Sequence, residues 1–209
     1  MTGMTLRLQD IEITLKGQRL LQINAQIEPG ATLTVMGPSG AGKSSLLAYI
    51  AGFLAPEFQA QGEIWLGERC LNGLPPEQRK VGLLFQDPLL FPHLSVAQNL
   101  TFALPADVPD RSARVELALE NVGLAGFAER DPATLSGGQK ARVSLQRLLL
   151  SNPHAVLLDE PFSRLDSHLR QEVRQHVFQT LRDASLPAIL VTHDAEDARA
   201  ADGTVIELG

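Results

Sequence analysis

The sequence predicts an α/β protein whose main sheet is largely parallel and covered by helices. Short apolar runs, of which Thr32–Met36, Ala155–Leu158 and Ile189–Thr192 are the clearest, are typical of strands buried on both faces. Segments with apolar residues at helical spacing, such as His168–Arg182, alternate with these runs. We expect two further strands in the same sheet, at Val81–Phe85 and Val205–Leu208.

An antiparallel β subdomain and an inserted helical subdomain are predicted beside this sheet. Leu6–Leu15 alternates apolar and polar residues, which indicates an antiparallel strand exposed on one face, and Gly62–Leu66 is a further expected strand. Helices are predicted at Ser95–Leu104, Arg111–Val122 and Gly138–Leu150. We therefore expect a single domain over residues 1–209, with a core of about 1–86 and 152–209 and a helical subdomain of about 87–151.

Composition and charge narrow the classes of protein to consider. The net charge of −6 and the pI near 5.4 argue against a protein that wraps nucleic acid, since neutralising phosphates requires a basic surface. Cys70 is the only cysteine, so no disulfide can form within the chain, and a reducing compartment is expected. The amino terminus has no signal-peptide pattern. The longest apolar run, Leu46–Ala55, is far shorter than the ~20 residues of a membrane-spanning helix.

A glycine-rich segment after the strand Thr32–Met36 fits the phosphate-binding pattern G-x-x-x-x-G-K-[ST]. Its glycines allow backbone amides to face phosphate oxygens, and the helix predicted at Ser44–Phe53 adds its positive amino-terminal end. We expect Lys43 to contact the β- and γ-phosphates and the hydroxyl of Ser44 to ligate Mg²⁺. The nucleotide-binding residues predicted here are Gly37, Pro38, Ser39, Gly40, Ala41, Gly42, Lys43, Ser44 and Ser45.

Two carboxylates, Asp159 and Glu160, directly follow the buried run Ala155–Leu158. Ligands of open α/β sheets bind at the carboxyl ends of the strands, so both residues are candidates for the same site as the glycine-rich segment. We expect Asp159 to hold Mg²⁺ through water and Glu160 to orient and polarise the attacking water. Without the glycine-rich segment, an acidic turn at a strand end would be the simpler interpretation.

The segment Leu135–Gln139, with the sequence Leu-Ser-Gly-Gly-Gln, is a second candidate anion-binding element. Ser136 is a good helix N-cap, and the two glycines leave amides accessible at the start of the Gly138–Leu150 helix. A helix start without a ligand is the alternative interpretation. The chain would have two anion-binding helix starts but one set of Mg²⁺ carboxylates. One explanation is that the second start binds the nucleotide of another subunit.

These motifs resemble those of the nucleotide-binding subunits of ABC transporters, which are P-loop NTPases. The resemblance covers essentially the whole chain. The segment Leu135–Gln139, between the two nucleotide motifs, is highly specific to that family. The resemblance implies a homodimer in the ATP state, in which each nucleotide is held by the glycine-rich segment of one protomer and the Leu135–Gln139 segment of the other. The residues implied on the second side are Ser136, Gly137, Gly138 and Gln139.

The same resemblance implies roles for three further residues. Gln86, after the strand Val81–Phe85, corresponds to the glutamine that senses Mg²⁺ and the γ-phosphate. His193 corresponds to the histidine that contacts the γ-phosphate, although a lone histidine is more often structural. Asp166, in the segment Ser163–Asp166, matches the loop that crosses to the other protomer.

Several features differ from the usual family pattern. Ile11–Leu20 contains no aromatic residue to stack on adenine, and Leu15 or its neighbours take the expected place. Lys140 stands where arginine is common, and Arg164 replaces a small residue, which puts a large cation near the expected dimer contact. The chain stops at Gly209, so we expect no C-terminal regulatory domain.

The region around residues 86–100 is similar to the one that importer ATPases of this family present to their transmembrane permease subunits. Leu89, Leu90 and Phe91 are expected to receive a short permease helix, and a loop that only packs on the core is the alternative. The likeness is nearest to the thiamine, polyamine and iron importers, and to an uncharacterised bacterial member of that group. It implies ATP and Mg²⁺ as cofactors, an extracytoplasmic binding protein as a further partner, and a location on the cytoplasmic face of the inner membrane.

Two other functions are weighed against an importer ATPase. Soluble ABC ATPases that act on DNA or ribosomes carry long coiled coils, extra domains or a second cassette, and a chain of 209 residues with none of these features fits them poorly. A scaffold that binds ATP without hydrolysing it is the other, and Glu160 argues against it because such degenerate cassettes typically lack this carboxylate. We therefore expect an ATPase coupled to transport, with no nucleic-acid partner.

Overall fold

The computed structural model describes residues 3–165 and 167–208, and for residues 167–169 it describes the backbone alone. In chain order the strands are β1 (Leu6–Leu15), β2 (Gln18–Ile27), β3 (Thr32–Met36), β4 (Phe58–Leu66), β5 (Arg69–Cys70), β6 (Val81–Leu84), β7 (Ala155–Asp159), β8 (Ala188–Val191) and β9 (Thr204–Glu207). The helices are α1 (Lys43–Ala51), α2 (Pro76–Arg79), α3 (Val96–Ala103), α4 (Arg111–Glu120), α5 (Gly137–Leu150), α6 (Ser167–Asp183) and α7 (Ala195–Ala201).

The main sheet has five strands in the order β6-β7-β8-β3-β9, and every neighbouring pair is parallel. Alternate residues of β7 point to opposite faces and enter different cores. Ala155 and Leu157 pack with α1 and the antiparallel sheet, whereas Val156 and Leu158 pack with α5 and α6. Burial on both faces explains why the strand is a continuous apolar run. The predicted α/β fold is confirmed.

A separate antiparallel sheet has the order β2-β1-β4-β5. The sequence analysis missed β2, although Leu21, Ile23 and Ile27 alternate along it and are buried. Lys16 and Gly17 both have positive φ angles, as expected for a two-residue turn between β1 and β2.

Strand β4 begins at Phe58, four residues before the predicted start at Gly62. The difference arises because Gly62 lies at an irregularity in the pairing with β1 and does not precede the strand. It has a φ of 94°, and a Cβ there would lie 2.3 Å from the carbonyl oxygen of Asp10. Gly62, the expected first residue of the strand, therefore lies inside it.

Helices α3, α4 and α5 share a third hydrophobic cluster, which includes Val96, Leu100, Leu119 and Val143. All three helices begin and end within two residues of the predicted positions. Among residues 3–165 and 167–208, no helix combines the length and the apolar character needed to cross a lipid bilayer.

Arg79 anchors the carboxyl end of α1, the helix that follows the glycine-rich segment. Its guanidinium donates to the carbonyl oxygens of Tyr49 (2.8 Å) and Ile50 (2.9 Å), and also to that of Leu74 (2.9 Å). The side chain is buried, so these carbonyls have no water to replace the arginine. A cation is also favoured at this end of a helix dipole.

We predict that Arg79→Met, which keeps the apolar stem, lowers the free energy of unfolding by about 2–3 kcal/mol, because buried carbonyls lose a charged donor. Urea unfolding followed by circular dichroism measures this change. The exposed Arg69 provides the control, and Arg69→Met should change the value by less than about 0.5 kcal/mol. Equal effects of the two substitutions would contradict this role of Arg79.

Candidate functional site

The candidate site lies at the carboxyl edge of the main sheet. Strand β3 leads into the glycine-rich segment, β7 ends at Asp159 and is followed by Glu160, and His193 lies two residues after the end of β8. Strand β8 lies between β3 and β7 in the sheet. Because all these strands are parallel, their following loops meet at one edge.

The glycine-rich segment forms a loop closed by its own lysine. The buried Lys43 donates from Nζ to the carbonyl oxygens of Gly37 and Pro38, both at 2.8 Å. Gly42 precedes α1 with a φ of 81°, and no side chain caps the helix. Its first amides therefore have no side-chain acceptor, as an anion-binding helix start requires. A Cβ on Gly42 would lie 3.1 Å from the Cβ of Leu20, so Leu20 packs against this loop.

Ser44 and Asp159 meet although they are 115 positions apart in the chain. The hydroxyl of Ser44 donates to Oδ1 of Asp159 at 3.1 Å. Both groups offer oxygen atoms as ligands, and Mg²⁺ prefers oxygen ligands, so the pair fits the magnesium site expected from the sequence. Burial raises the pKa of Asp159, and the charge of Glu160 adds to this, against the opposing effects of the Ser44 hydrogen bond and Lys43.

Glu160 and His193 form a second contact at the same edge, with Oε1 and Nδ1 3.0 Å apart. Glu160 has a φ of 45°, in the left-handed region that costs a residue with a side chain on the order of 1 kcal/mol. Its amide donates to the carbonyl oxygen of Val191 at 2.9 Å, which ties this turn to β8. Strained backbone of this kind occurs at functional sites, where it aims a side chain.

A charged cluster that the sequence analysis missed supports the loop of His193. The buried Asp197 accepts hydrogen bonds from Thr192 Oγ1 (2.9 Å) and from the guanidinium of Arg174. Arg170 contacts Asp194 at 3.3 Å. These contacts hold both residues that flank His193. The signal available in the sequence was the pair of arginines one helical turn apart on α6.

Asp194 is the N-cap of helix α7. Its carboxylate accepts the amide of Glu196 at 2.7 Å. Burial opposes ionisation of Asp194, but the amide of Glu196 and the charges of Arg174 and Arg170 outweigh it and lower the pKa of this carboxyl. The carboxylate therefore stays charged and keeps the His193 loop attached to α6.

Ser136 caps α5, which confirms its predicted role as an N-cap. Its hydroxyl oxygen accepts the amide of Gln139 at 3.3 Å, and Oε1 of Gln139 accepts the amide of Ser136 at 2.9 Å. The helix begins at Gly137, one residue before the predicted start. Within the part of the chain that the structure describes, no hydrogen bond joins residues 136–139 to residues 37–45.

Gln86 is not joined to the cluster of site residues. Gln86 is exposed after β6, and among the described residues it makes no side-chain hydrogen bond to Ser44, Asp159 or His193. Its neighbours across a small cavity include Gly137 and Lys140. Asp166 lies outside the described residues.

We predict that Asp159→Asn stabilises the protein in the absence of Mg²⁺, because it removes a carboxylate whose charged form is disfavoured by burial. At pH 7.5 the melting temperature should rise by about 2–4 °C, the change expected for roughly 1 kcal/mol in a chain of this size. The gain should disappear as the pH falls through the raised pKa of Asp159, since the wild-type side chain is then neutral as well. The exposed Asp107 provides the control Asp107→Asn, and a lower melting temperature for Asp159→Asn would contradict the prediction.

Comparisons with known proteins show which family this chain is similar to. A family model described as ABC transporter matches residues 20–163, more than half of the chain. The chain is 48% identical over 203 residues to the uncharacterized ABC transporter ATP-binding protein YnjD of Escherichia coli, covering 96% of this chain and 93% of that protein. It is 46% identical over 188 residues to the thiamine import ATP-binding protein ThiQ of Cereibacter sphaeroides, covering 88% of this chain and 80% of ThiQ.

A third relative is longer than this chain. Identity to the Fe(3+) ions import ATP-binding protein FbpC 2 of Haemophilus influenzae is 43% over 188 residues. The match covers 87% of this chain and 52% of the relative, so the chain spans about half the length of that protein. A phosphate-binding loop, two carboxylates and a histidine at one sheet edge, the family match and these identities all agree. The chain belongs to the family of ABC transporter ATPases.

Proposed function

We propose that this chain is the subunit that binds and hydrolyses ATP for a bacterial importer, and that two copies close around the nucleotides. Two contacts beside the glycine-rich loop carry the proposal. The hydroxyl of Ser44 donates a hydrogen bond to Asp159, and the carboxylate of Glu160 contacts the imidazole of His193. Catalysis of phosphoryl transfer depends mainly on charged groups held in position, and little on covalent chemistry by the protein. Several charged side chains lie together at this edge of the main sheet.

Each residue of the edge has a defined task in this proposal. Lys43 and the first amides of α1 bind the phosphates. Ser44 and Asp159 would hold Mg²⁺, which neutralises charge on the phosphates when it is bound. The carboxylate of Glu160 accepts a proton from the attacking water and orients it. His193 is exposed and lies 3.0 Å from Glu160. Its proposed task is to contact the γ-phosphate.

The proposed dimer gives each of the two candidate anion-binding helix starts a role at a nucleotide. The hydroxyl of Ser136 accepts the amide of Gln139, which leaves its own O–H free to donate to a phosphate. No hydrogen bond among the described residues joins this helix start to the glycine-rich loop. Two copies related by a two-fold axis would bring each Ser136 opposite the other copy's loop. Asp166 would join the same contact.

The permease is proposed to dock on residues 86–100, part of a helical lobe of about 87–151. Leu89 and Phe102 are 54% and 70% exposed and line a groove of about 520 Å³ together with Phe91. The loop is shaped in advance by the buried Asn99, whose amide group exchanges hydrogen bonds with the backbone of Phe91 at 2.8 and 3.1 Å. Arg147 donates to the carbonyl oxygen of Leu89 at 2.8 Å. An exposed apolar patch on a fixed loop favours a protein partner.

The import direction rests on relatives that are named as import proteins for thiamine and Fe(3+) ions. A permease and an extracytoplasmic binding protein would complete the system, with this subunit on the cytoplasmic face of the inner membrane. The acidic net charge of −6 does not favour a nucleic-acid partner.

We predict that Glu160→Gln binds ATP with wild-type affinity, hydrolyses it about 10²–10³-fold more slowly and accumulates as a dimer, because the water loses its oriented acceptor. Gel filtration with Mg-ATP and a phosphate-release assay measure these properties. With ADP in place of ATP, the same variant should elute as a monomer. A monomer in Mg-ATP with wild-type turnover would contradict the role of Glu160.

Ser136→Arg should stop hydrolysis while leaving ADP affinity unchanged, because the phosphate-binding loop of the same chain is intact. The matched control is Ser95→Arg, since Ser95 caps α3 with Gln98 in the same reciprocal geometry. Both variants lose a helix cap worth ~1 kcal/mol. In assays of the isolated subunit, without the permease that is proposed to contact residues 86–100, only a direct role at the nucleotide separates them. Equal loss of activity in both, or loss of ADP binding in Ser136→Arg, would contradict the shared site.

A further inference from the structure

Arg164, the large cation that replaces the usual small residue, forms an ion pair with Asp87. The two residues lie 77 positions apart, on segments that follow the neighbouring strands β7 and β6. Their side chains are 58% and 47% exposed. Within residues 3–165 and 167–208 this is the one hydrogen-bonded contact between residues 85–90 and 160–165.

On one side, the ion pair reaches the turn that carries Glu160. The amide and hydroxyl of Ser163 both donate to the carbonyl oxygen of Glu160, at 3.2 and 2.8 Å. Phe162 and Leu165 are buried, and the carbonyl oxygen of Leu165 accepts from Arg170 at 2.9 Å. These contacts fix residues 160–165 relative to one another. A change in the position of Arg164 is therefore expected to shift the backbone of Glu160.

On the other side, the ion pair reaches the segment between Gln86 and the proposed permease loop. Asp87 directly follows Gln86 and precedes Pro88. The carbonyl oxygen of Pro88 accepts from Ser144 and from Arg147, both at 3.0 Å, so this segment is anchored on α5. A cavity of about 180 Å³ is lined by Gln86 on one side and by Pro161 and Arg164 of the Glu160 turn on the other.

We propose that Arg164 is a positioning residue, which through Asp87 holds the Gln86 segment at a fixed distance from the turn of Glu160. The inference rests on the role that the proposed function gives to Glu160, and on the role as sensor of Mg²⁺ and the γ-phosphate that the family resemblance implies for Gln86. The ion pair links the strand-end turn that orients water to the segment that senses the γ-phosphate and continues into the permease loop. Because both side chains are half-exposed, the coupling is modest and is screened by salt.

The test is a double-mutant cycle on ATP hydrolysis with Asp87→Ala, Arg164→Ala, the double variant and the charge exchange Asp87→Arg with Arg164→Asp. Each single substitution should lower kcat about two- to fivefold, with KM and ADP affinity unchanged. The double variant should be no slower than either single variant, and the charge exchange should recover most of the rate. At about 0.5 M salt, where screening is strong, the difference from wild type should disappear.

Two control variants distinguish a failure of the positioning role of Arg164 from a failure of the expected role of Gln86. Glu172→Gln removes the ion pair between the exposed Glu172 and the less exposed Arg142, which joins α6 to α5, and should leave kcat unchanged. Gln86→Ala tests the expected role of Gln86 as sensor of Mg²⁺ and the γ-phosphate. If Gln86→Ala keeps the wild-type rate, the role of Gln86 fails and the inference with it. If Gln86→Ala is slow but the Asp87 and Arg164 variants match wild type, or their effects are additive in the double variant, the positioning role of Arg164 is overturned.

Discussion

The parallel pairing of β3, β7 and β8 is the constraint on which the rest of the site depends. It brings the glycine-rich loop, Asp159 and His193 to one edge although they are far apart in the chain. The strands stay in register because their alternate residues fill two different cores. A shift of one residue would exchange these faces, move Asp159 away from Ser44 and bury polar groups.

Much of this arrangement could be predicted from the sequence, because the informative patterns are local. Buried parallel strands are continuous apolar runs, so β3, β7 and β8 were found within one residue of their observed bounds. The glycine-rich loop and the carboxylates that follow β7 are short motifs whose chemistry depends on residue type and spacing. Knowing that both follow parallel strands was sufficient to expect Ser44 and Asp159 near each other.

The contacts that support the site could not be predicted, because they join distant surfaces. The cluster of Arg174 with Asp197 and the pair of Arg164 with Asp87 depend on how α6 and two loops are placed in space. Strand β2 was missed despite its alternating pattern, and the strand expected at Gly62–Leu66 begins four residues earlier, at Phe58. The ion pair also gives Arg164, an unusual residue in its segment, a physical role, since its charge has a partner on the neighbouring loop.

The central claim is that one nucleotide is enclosed by the glycine-rich loop of one chain and the Ser136 turn of another. Disulfide trapping tests it directly, with Ser39→Cys in one preparation and Ser136→Cys in a second, both carrying Cys70→Ser. Ser39 and Ser136 are exposed, so both introduced thiols are accessible. Mixing and oxidation in the presence of ATP should give a covalent dimer of one chain of each kind, which is absent without nucleotide and absent from either preparation alone. A mixture that shows no ATP-dependent dimer would contradict the claim.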